Sequence, residues 1–253
     1  AGEWLEAKVD EWWDRIGYST RQHARFNAAR WGLGGWEGSA VSLTVKTADG
    51  EKPVELIRKS GSEKPAFVPA KQLPDLKSLD RQSYGRTAGG FGYIRLGNTP
   101  GELPQQLDTM LEAIGEVPGM ILDMRGNSGG GCDHREVFGR FLKAGEFWGT
   151  YEGKGTRPFS GPMIVILDAG CASAGETVGG QFGEDQRAWM IGATPTAGMS
   201  SQKTRIPAPS GLFTAYISVA SNKGRFNKGR GIEGIGVQPH EIVPWEPADL
   251  SAG

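Results

Sequence analysis

From residue 90 onward, short apolar segments alternate with longer amphipathic ones, and this alternation limits the folds that the chain can adopt. Apolar segments typical of strands read "FGYIRLG", "GMILDMRG", "PMIVILDAG" and "RAWMIGA". The segments between them are typical of helices: "TPGELPQQLDTMLEAIGEV", "HREVFGRFLKAG" and a stretch from about Ala174 to Gly183. Strands that alternate with helices of this length form a largely parallel sheet with helical crossovers. We therefore predict an α/β core over residues 90–253.

The first 62 residues have a different character. Residues 3–13 and the segment "STRQHARFNAARWGL" predict helices, with Ser19 or Thr20 as a cap. The segment "SAVSLTVKTADGEKPVELIRKS" alternates apolar and polar residues around the turn signal "ADG", which predicts a β-hairpin with one buried face. Residues 63–89 are rich in Lys, Pro, Ser and Gly, so we interpret them as a connection between two units.

Composition excludes several classes of protein. The chain has 253 residues, 38% of them hydrophobic, and a formal net charge of -1, which suits one large globular domain with a smaller partner and favours no nucleic acid or anionic membrane. The basic segment "NKGRFNKGRG" is interleaved with glycine and is interpreted as a solvated loop. Apolar runs are too short to predict a membrane span. The first residues indicate neither a signal peptide nor an anchor, and since the chain begins with Ala, we expect a processed chain or an internal start.

The cysteines and histidines give no sign of a metal site. Cys132 and Cys171 each follow an apolar strand, so their loops are expected at the same edge of the sheet. Either one disulfide or two buried thiols fits this placement. His23, His134 and His240 lack the spacing of metal ligands, and we predict no metal and no cofactor.

Ser173 stands where an apolar strand gives way to a helix, in "VILDAGCASAGETVGGQF". A small residue at such a junction can serve close packing alone. It can also be a nucleophile, because the first N–H groups of the helix, beginning with that of Ala174, favour developing negative charge.

A glycine-rich loop follows another buried strand, in "ILDMRGNSGGG". Consecutive glycines can turn backbone N–H groups toward an oxyanion. The loop can equally be a tight turn in which Asp123 and Arg125 form an ion pair. The later segment "GIGVQPHEIV" is interpreted as a structural strand.

In this order, the segments "GYIRL", "LDMRGNSGG", "ASAGE", "RAWMIG" and "GIEGIGVQP" resemble the S41 family of serine peptidases, the C-terminal processing or tail-specific proteases. The resemblance implies a crotonase-like core, shared with the Clp-type peptidases, that cleaves protein or peptide chains outside the cytoplasm. It implies Ser173 as the nucleophile, with an oxyanion hole formed by the N–H of Ala174 and that of Gly129 or Gly130. Residues 34–59 are similar to the closing strands of a PDZ-type domain, which implies a partial PDZ-like segment over residues 1–62.

One position departs from the family pattern. Common members carry a lysine general base after Thr-Phe-Gly, and this chain reads "TAGMSS", with Met199 at the lysine position. A thioether cannot accept a proton near neutral pH.

Four alternatives follow from this departure. His134 can act as a base, as a histidine does in the tricorn-like branch, although its surroundings do not match that branch's motif. Lys203 can reach the site from four residues further on. Glu176, which matches a family glutamate, is expected to orient other groups. Finally, the core can have lost proteolysis and bind a peptide or an apolar ligand, as retinoid-binding relatives of this core do.

Overall fold

Two helices and a hairpin precede a region in which strands alternate with helices, and the computed structural model describes residues 3–47, 49–60, 75–244 and 246. The helices are α1 (Glu3–Ile16), α2 (Arg21–Trp31), α3 (Leu103–Ile114), α4 (His134–Gly139) and α5 (Ala174–Glu184). The strands are β1 (Ala40–Thr47), β2 (Gly50–Ile57), β3 (Lys77–Leu79), β4 (Gln82–Arg86), β5 (Gly92–Leu96), β6 (Met120–Asp123), β7 (Phe147–Trp148), β8 (Tyr151–Glu152), β9 (Met163–Leu167), β10 (Trp189–Gly192), β11 (Lys203–Pro207), β12 (Thr214–Ser218) and β13 (Glu241–Ile242).

Within the described residues, the central sheet has seven strands in the order β13-β10-β9-β6-β5-β4-β3. The five strands from β13 to β5 are parallel to their neighbours, and β4 and β3 extend the sheet in antiparallel pairing. This arrangement confirms the largely parallel α/β fold. Strands β3 and β4 lie inside the segment that we interpreted as a connection, so the sheet begins before residue 90.

Helices α3 and α5 are packed against this sheet because each presents an apolar face. The residues expected on the buried face of α3, namely Leu107, Met110, Leu111 and Ile114, are all buried. Helix α5 buries Val178 and Phe182 in the same core. Helix α4 is shorter than the sequence predicts, since regular helical structure ends at Gly139.

The N-terminal helices and hairpin form as predicted, with one difference. Thr20 is the N-cap of α2, and its side chain accepts a hydrogen bond from the N–H of His23. Strands β1 and β2 pair in antiparallel register. The predicted buried face of the hairpin is only partly covered: Val41, Leu43 and Val54 are half-buried, whereas Val45 and Leu56 are 40% and 45% exposed. Alternation identifies the apolar face of a hairpin, but burial requires another element to cover it.

The predicted strand near the C-terminus is only two residues long, β13, and it lies at the edge of the sheet. No helix in the described part of the chain is long and apolar enough to cross a membrane.

Candidate active site

Ser173 lies between the end of β9 and the first residue of α5, at the carboxyl-terminal ends of the parallel strands. Its backbone has φ 57° and ψ -132°, a conformation that residues other than glycine rarely adopt. Such a backbone costs about 1–3 kcal/mol and is found mainly where function requires it. The residue is partly exposed.

The glycine-rich loop after β6 touches the serine directly. A Cβ added at Gly129, which has φ +83°, would lie 2.6 Å from Cβ of Ser173 and 3.0 Å from the nitrogen of Ala174. Only glycine fits this approach. The N–H of Gly129 donates to Oδ1 of Asn127 at 2.9 Å, whereas the N–H of Gly130 has no acceptor among the described residues. Of the two glycines, Gly130 is therefore the one with a donor available for a ligand.

Buried polar groups hold the two loops together. The N–H of Ala172 donates to the carbonyl of Asn127 at 2.9 Å, and Nδ2 of Asn127 donates to the carbonyl of Leu96 at 2.8 Å. Asp168 accepts bonds from the N–H groups of Gly126 and Gly170, both at 2.9 Å. These bonds fix the glycine loop against the start of α5.

The expected ion pair of the glycine loop is present. Arg125 donates to the fully buried carboxylate of Asp123, with its Nη2 2.6 Å from Oδ2. Tyr93 donates to the same carboxylate at 2.7 Å, and burial is the main reason that the pKa of this tyrosine is raised. The ion pair anchors the base of the loop and leaves the glycines free to approach Ser173.

Cys132 and Cys171 are free buried thiols. They belong to the two loops that the bond between Asn127 and Ala172 joins, so their loops are neighbours as predicted. Burial raises the pKa of Cys132 to about 11 and also raises that of Cys171.

Glu176 is completely buried and organises the site. Its Oε1 accepts bonds from Oγ1 of Thr196 at 2.5 Å and from the N–H of Gly198 at 2.7 Å. Its Oε2 accepts bonds from the N–H groups of Ser173 and Met199, at 3.1 and 2.9 Å. Burial raises the pKa of Glu176, while these four bonds oppose the rise. Because both oxygens are occupied, the carboxylate positions the loops and is not free to take a proton from serine.

The backbone of Met199 consequently lies beside that of Ser173. Two nitrogens that bond the same oxygen at these distances are no more than about 6 Å apart, so the backbone of Met199 is close to that of Ser173. The side chain at position 199 therefore starts from a backbone next to that of Ser173, and it carries no basic group.

Neither of the two other bases suggested by the sequence is bonded to Ser173 among the described residues. The carbonyl of His134 accepts a bond from Nε2 of Gln181 at 3.0 Å, and Gln181 lies about 12 Å along α5 from Ser173. Burial lowers the pKa of His134. Nζ of Lys203 is 3.4 Å from Oγ of Ser201. Neither side chain is hydrogen-bonded to Ser173 among the described residues, and both roles remain predictions.

Sequence reasoning missed the segment at the start of α2. Oγ1 of Thr20 donates to the carbonyl of Ala197 at 2.7 Å, and Nε2 of Gln22 donates to that of Thr196 at 3.0 Å. Ser19 donates to the carbonyl of Gly198. A run of polar residues at a helix start indicates a cap, so nothing in the sequence pointed to a partner about 175 positions away.

The described residues form an α/β fold with a largely parallel central sheet, and Ser173 lies at the start of a helix that follows one of its strands. The family model "Peptidase family S41" matches residues 90–243, and the chain belongs to this family.

Relatives in sequence support this membership. The chain is 28% identical over 228 residues to a carboxy-terminal-processing protease of Bartonella bacilliformis, covering 81% of this chain and 47% of that one. It is 28% identical over 222 residues to a carboxyl-terminal-processing protease of Synechocystis, covering 83% and 48%. The chain thus spans about half the length of these relatives.

A solved structure shares the fold. Mature CPAF complexed with lactacystin superposes with a TM-score of 0.62 at 13% identity, covering 91% of this chain and 69% of that one. At this identity the likeness concerns the fold alone.

Proposed function

We propose that this chain is the core of a serine peptidase that cleaves peptide bonds through an acyl-enzyme on Ser173. The observation that carries the proposal is the strained backbone of Ser173 at the start of α5, in contact with Gly129. A hydroxyl held at such a junction is exposed to substrate, and the helix N-terminus favours negative charge near it.

The reaction has two halves. In the first, Oγ of Ser173 loses its proton to a base and bonds to the carbonyl carbon of the substrate, whose oxygen becomes an oxyanion. The carbon–nitrogen bond then breaks, and the amine leaves with the proton. In the second half, water loses a proton to the same base and attacks the acyl group, which releases the carboxylic acid and restores the serine.

The oxyanion needs donors that are not otherwise engaged. The N–H groups of Ala174 and Gly130 fit this need, because neither has an acceptor among the described residues. The N–H of Gly129 donates to Asn127, so the role of Gly129 is steric: without a side chain it lets the loop approach Ser173. Each such donor typically contributes about 2.7–4 kcal/mol to transition-state stabilisation.

Peptide or protein chains are the proposed substrates, in keeping with the names of the curated relatives. A location outside the cytoplasm and a partial PDZ-like role for residues 1–62 are also proposed. The exposed β1–β2 hairpin is compatible with a module whose remaining parts lie outside this sequence.

A second candidate is a binding module that has lost catalysis. Met199 favours it, because the side chain at the lysine position cannot accept a proton. Such a module would hold a peptide or an apolar ligand in the same cleft without cleaving it.

Hydrolysis of a peptide mixture, followed by mass spectrometry, separates the two functions. We expect cleavage by the unmodified protein, none by Ser173→Ala, and unchanged cleavage by Ser83→Ala, a control serine in β4. Peptides that bind to the unmodified protein and to Ser173→Ala equally well, with no cleavage by either, would establish the binding module instead.

A further inference from the structure

A peptidase that acts through Ser173 needs a base, and the following inference rests on that proposed function. The chain has three histidines, and two of them have other surroundings. Nδ1 of His240 accepts the N–H of Met190 at 2.9 Å, and its ring stacks on Trp189, at the start of β10. Ser173 follows the carboxyl-terminal end of a parallel strand, whereas His240 lies at the amino-terminal ends of the strands, on the opposite side of the sheet. The backbone of His134 is bonded through its carbonyl to Gln181, two turns into α5, and among the described residues no hydrogen bond joins the ring of His134 to Ser173.

His23 lies on the face of α2 that is docked onto the nucleophile loops. Thr20 binds the carbonyl of Ala197, and the ring of Phe26 packs on Gly170, where an added Cβ would lie 2.5 Å from Cζ. Residues three apart share one face of a helix, so the side chain of His23 leaves α2 between these two contacts.

The two segments beneath this face are themselves joined. The N–H of Ala197 donates to the carbonyl of Cys171 at 2.9 Å. Ser173 follows Cys171 by two residues, and Met199 follows Ala197 by two. The face of α2 that carries His23 therefore covers the chain segments on both sides of the nucleophile.

The imidazole of His23 packs against a neighbouring ring, but one of its nitrogens has no hydrogen-bond partner among the described residues. Its Nδ1 is buried and has no hydrogen-bond partner in the described part of the chain. Tyr18 packs edge-on against the ring with centroids 5.1 Å apart, and Asn27 donates to the carbonyl of His23 at 2.9 Å. A buried polar atom without a partner is costly, and it is expected where function requires the atom.

Charged groups around α2 are engaged with other partners. The carboxylates of α1 closest to α2 are paired, Asp10 with Arg21 and Glu6 with Arg25. From the core, Glu176 is occupied by its four donors, and Glu233 accepts from Ser19. Burial lowers the pKa of His23, which keeps the imidazole neutral and able to take a proton near neutral pH.

We propose that His23 is the general base of Ser173, in the role left empty by Met199. The imidazole takes the proton of Oγ as the bond from Oγ to the carbonyl carbon forms, and the resulting imidazolium gives that proton to the leaving amine. In the second half it takes a proton from water and returns it to Oγ as the acyl group leaves. No further reactant is needed.

The test measures the rate at which a fluorophosphonate probe labels Ser173, between pH 5 and 9, in the unmodified protein and four variants. We expect His23→Ala and His23→Gln to lower the rate by about 10²–10⁴-fold and to remove its rise through the histidine pKa. Added imidazole should restore labelling in His23→Ala, which a structural role would not predict. His240→Gln is the matched control and should label at the unmodified rate.

Several outcomes would overturn the proposal. One is a labelling rate of His23→Ala within about threefold of that of the unmodified protein. Another is a folded His23→Ala whose labelling rate falls but is not restored by imidazole. The third is a fall in the labelling rate, restored by imidazole, in His134→Ala and not in His23→Ala. Circular dichroism establishes that the variants are folded. An unmodified protein that does not label refutes the proposed function itself, and this result differs from labelling that is independent of His23.

Discussion

Ser173 and Met199 donate their backbone N–H groups to the same oxygen, Oε2 of Glu176, at 3.1 and 2.9 Å. This shared acceptor holds the backbones of Ser173, the proposed nucleophile, and Met199 side by side. The side chain at position 199 carries no amine. A base has to come from another element, or the site has to work without one.

Position 199 should accept a lysine that acts as a base. In His23→Ala, the further change Met199→Lys is expected to raise the labelling rate of Ser173 by at least about tenfold, because a positioned base typically contributes 10²–10⁴-fold. Met199→Leu in the same background is the control and should give no gain. Equal rates for the Lys and Leu variants would contradict the inferred proximity of residue 199 to the nucleophile.

Gly129→Ala should disable the site. The added Cβ would meet Cβ of Ser173 at 2.6 Å in a backbone with φ +83°, so the loop has to move away from the oxyanion position. We expect labelling to fall at least about 100-fold. Gly131→Ala is a close control, because nothing lies within 4 Å of a Cβ at that position. Similar labelling rates for the two variants would contradict the described loop.

Glu176→Gln should destabilise the protein and slow the reaction together. The amide has one acceptor oxygen in place of the two that receive four bonds, and its NH₂ group would face N–H donors. Loss of buried hydrogen bonds is expected to lower the free energy of unfolding by about 1–3 kcal/mol in urea titrations. The side chain of Glu112 is 61% exposed, so Glu112→Gln is the control and should unfold at the same urea concentration as the unmodified protein. An unchanged midpoint for Glu176→Gln would show that the carboxylate does not organise the loops.

Acid should destabilise the protein through two half-buried histidines, His23 and His134. The pKa of His23 is lowered in the folded state from 6.5, so the unfolded chain binds more protons as the pH falls below that value. The free energy of unfolding should therefore decrease from about pH 6.5 downward. His134 contributes in the same direction. His23→Gln should show a shallower decrease, measured by urea unfolding at several pH values, and a slope equal to that of the unmodified protein would refute the lowered pKa.

The two thiols should be inert in the folded protein. Cys132 is 7% exposed and Cys171 is fully buried, and burial raises the pKa of both, so little reactive thiolate exists at pH 8. A thiol reagent such as DTNB should titrate both only after denaturation, without added reductant. Rapid reaction before unfolding would contradict the burial of these residues.

The alternating segments predicted the parallel sheet, which the structure confirms. The resemblance to the S41 family implies Ser173 as the nucleophile and Glu176 as an orienting group, and both roles stay predictions. The docking of α2 could not be predicted, because it depends on hydrogen bonds from Thr20 and Gln22 to carbonyls far along the chain. Every residue has a backbone carbonyl, so the residue types in the sequence do not show which carbonyl accepts the bond. For the same reason His23 was taken as one of three scattered histidines.

Treatment with a fluorophosphonate, followed by peptide mapping in a mass spectrometer, tests the central claim that Ser173 is a nucleophile. The account predicts one phosphonylated residue, Ser173, in the peptide that spans the start of α5, and no label in Ser173→Ala, which should remain folded. A folded protein that takes no label, or that is labelled at another serine, would contradict it.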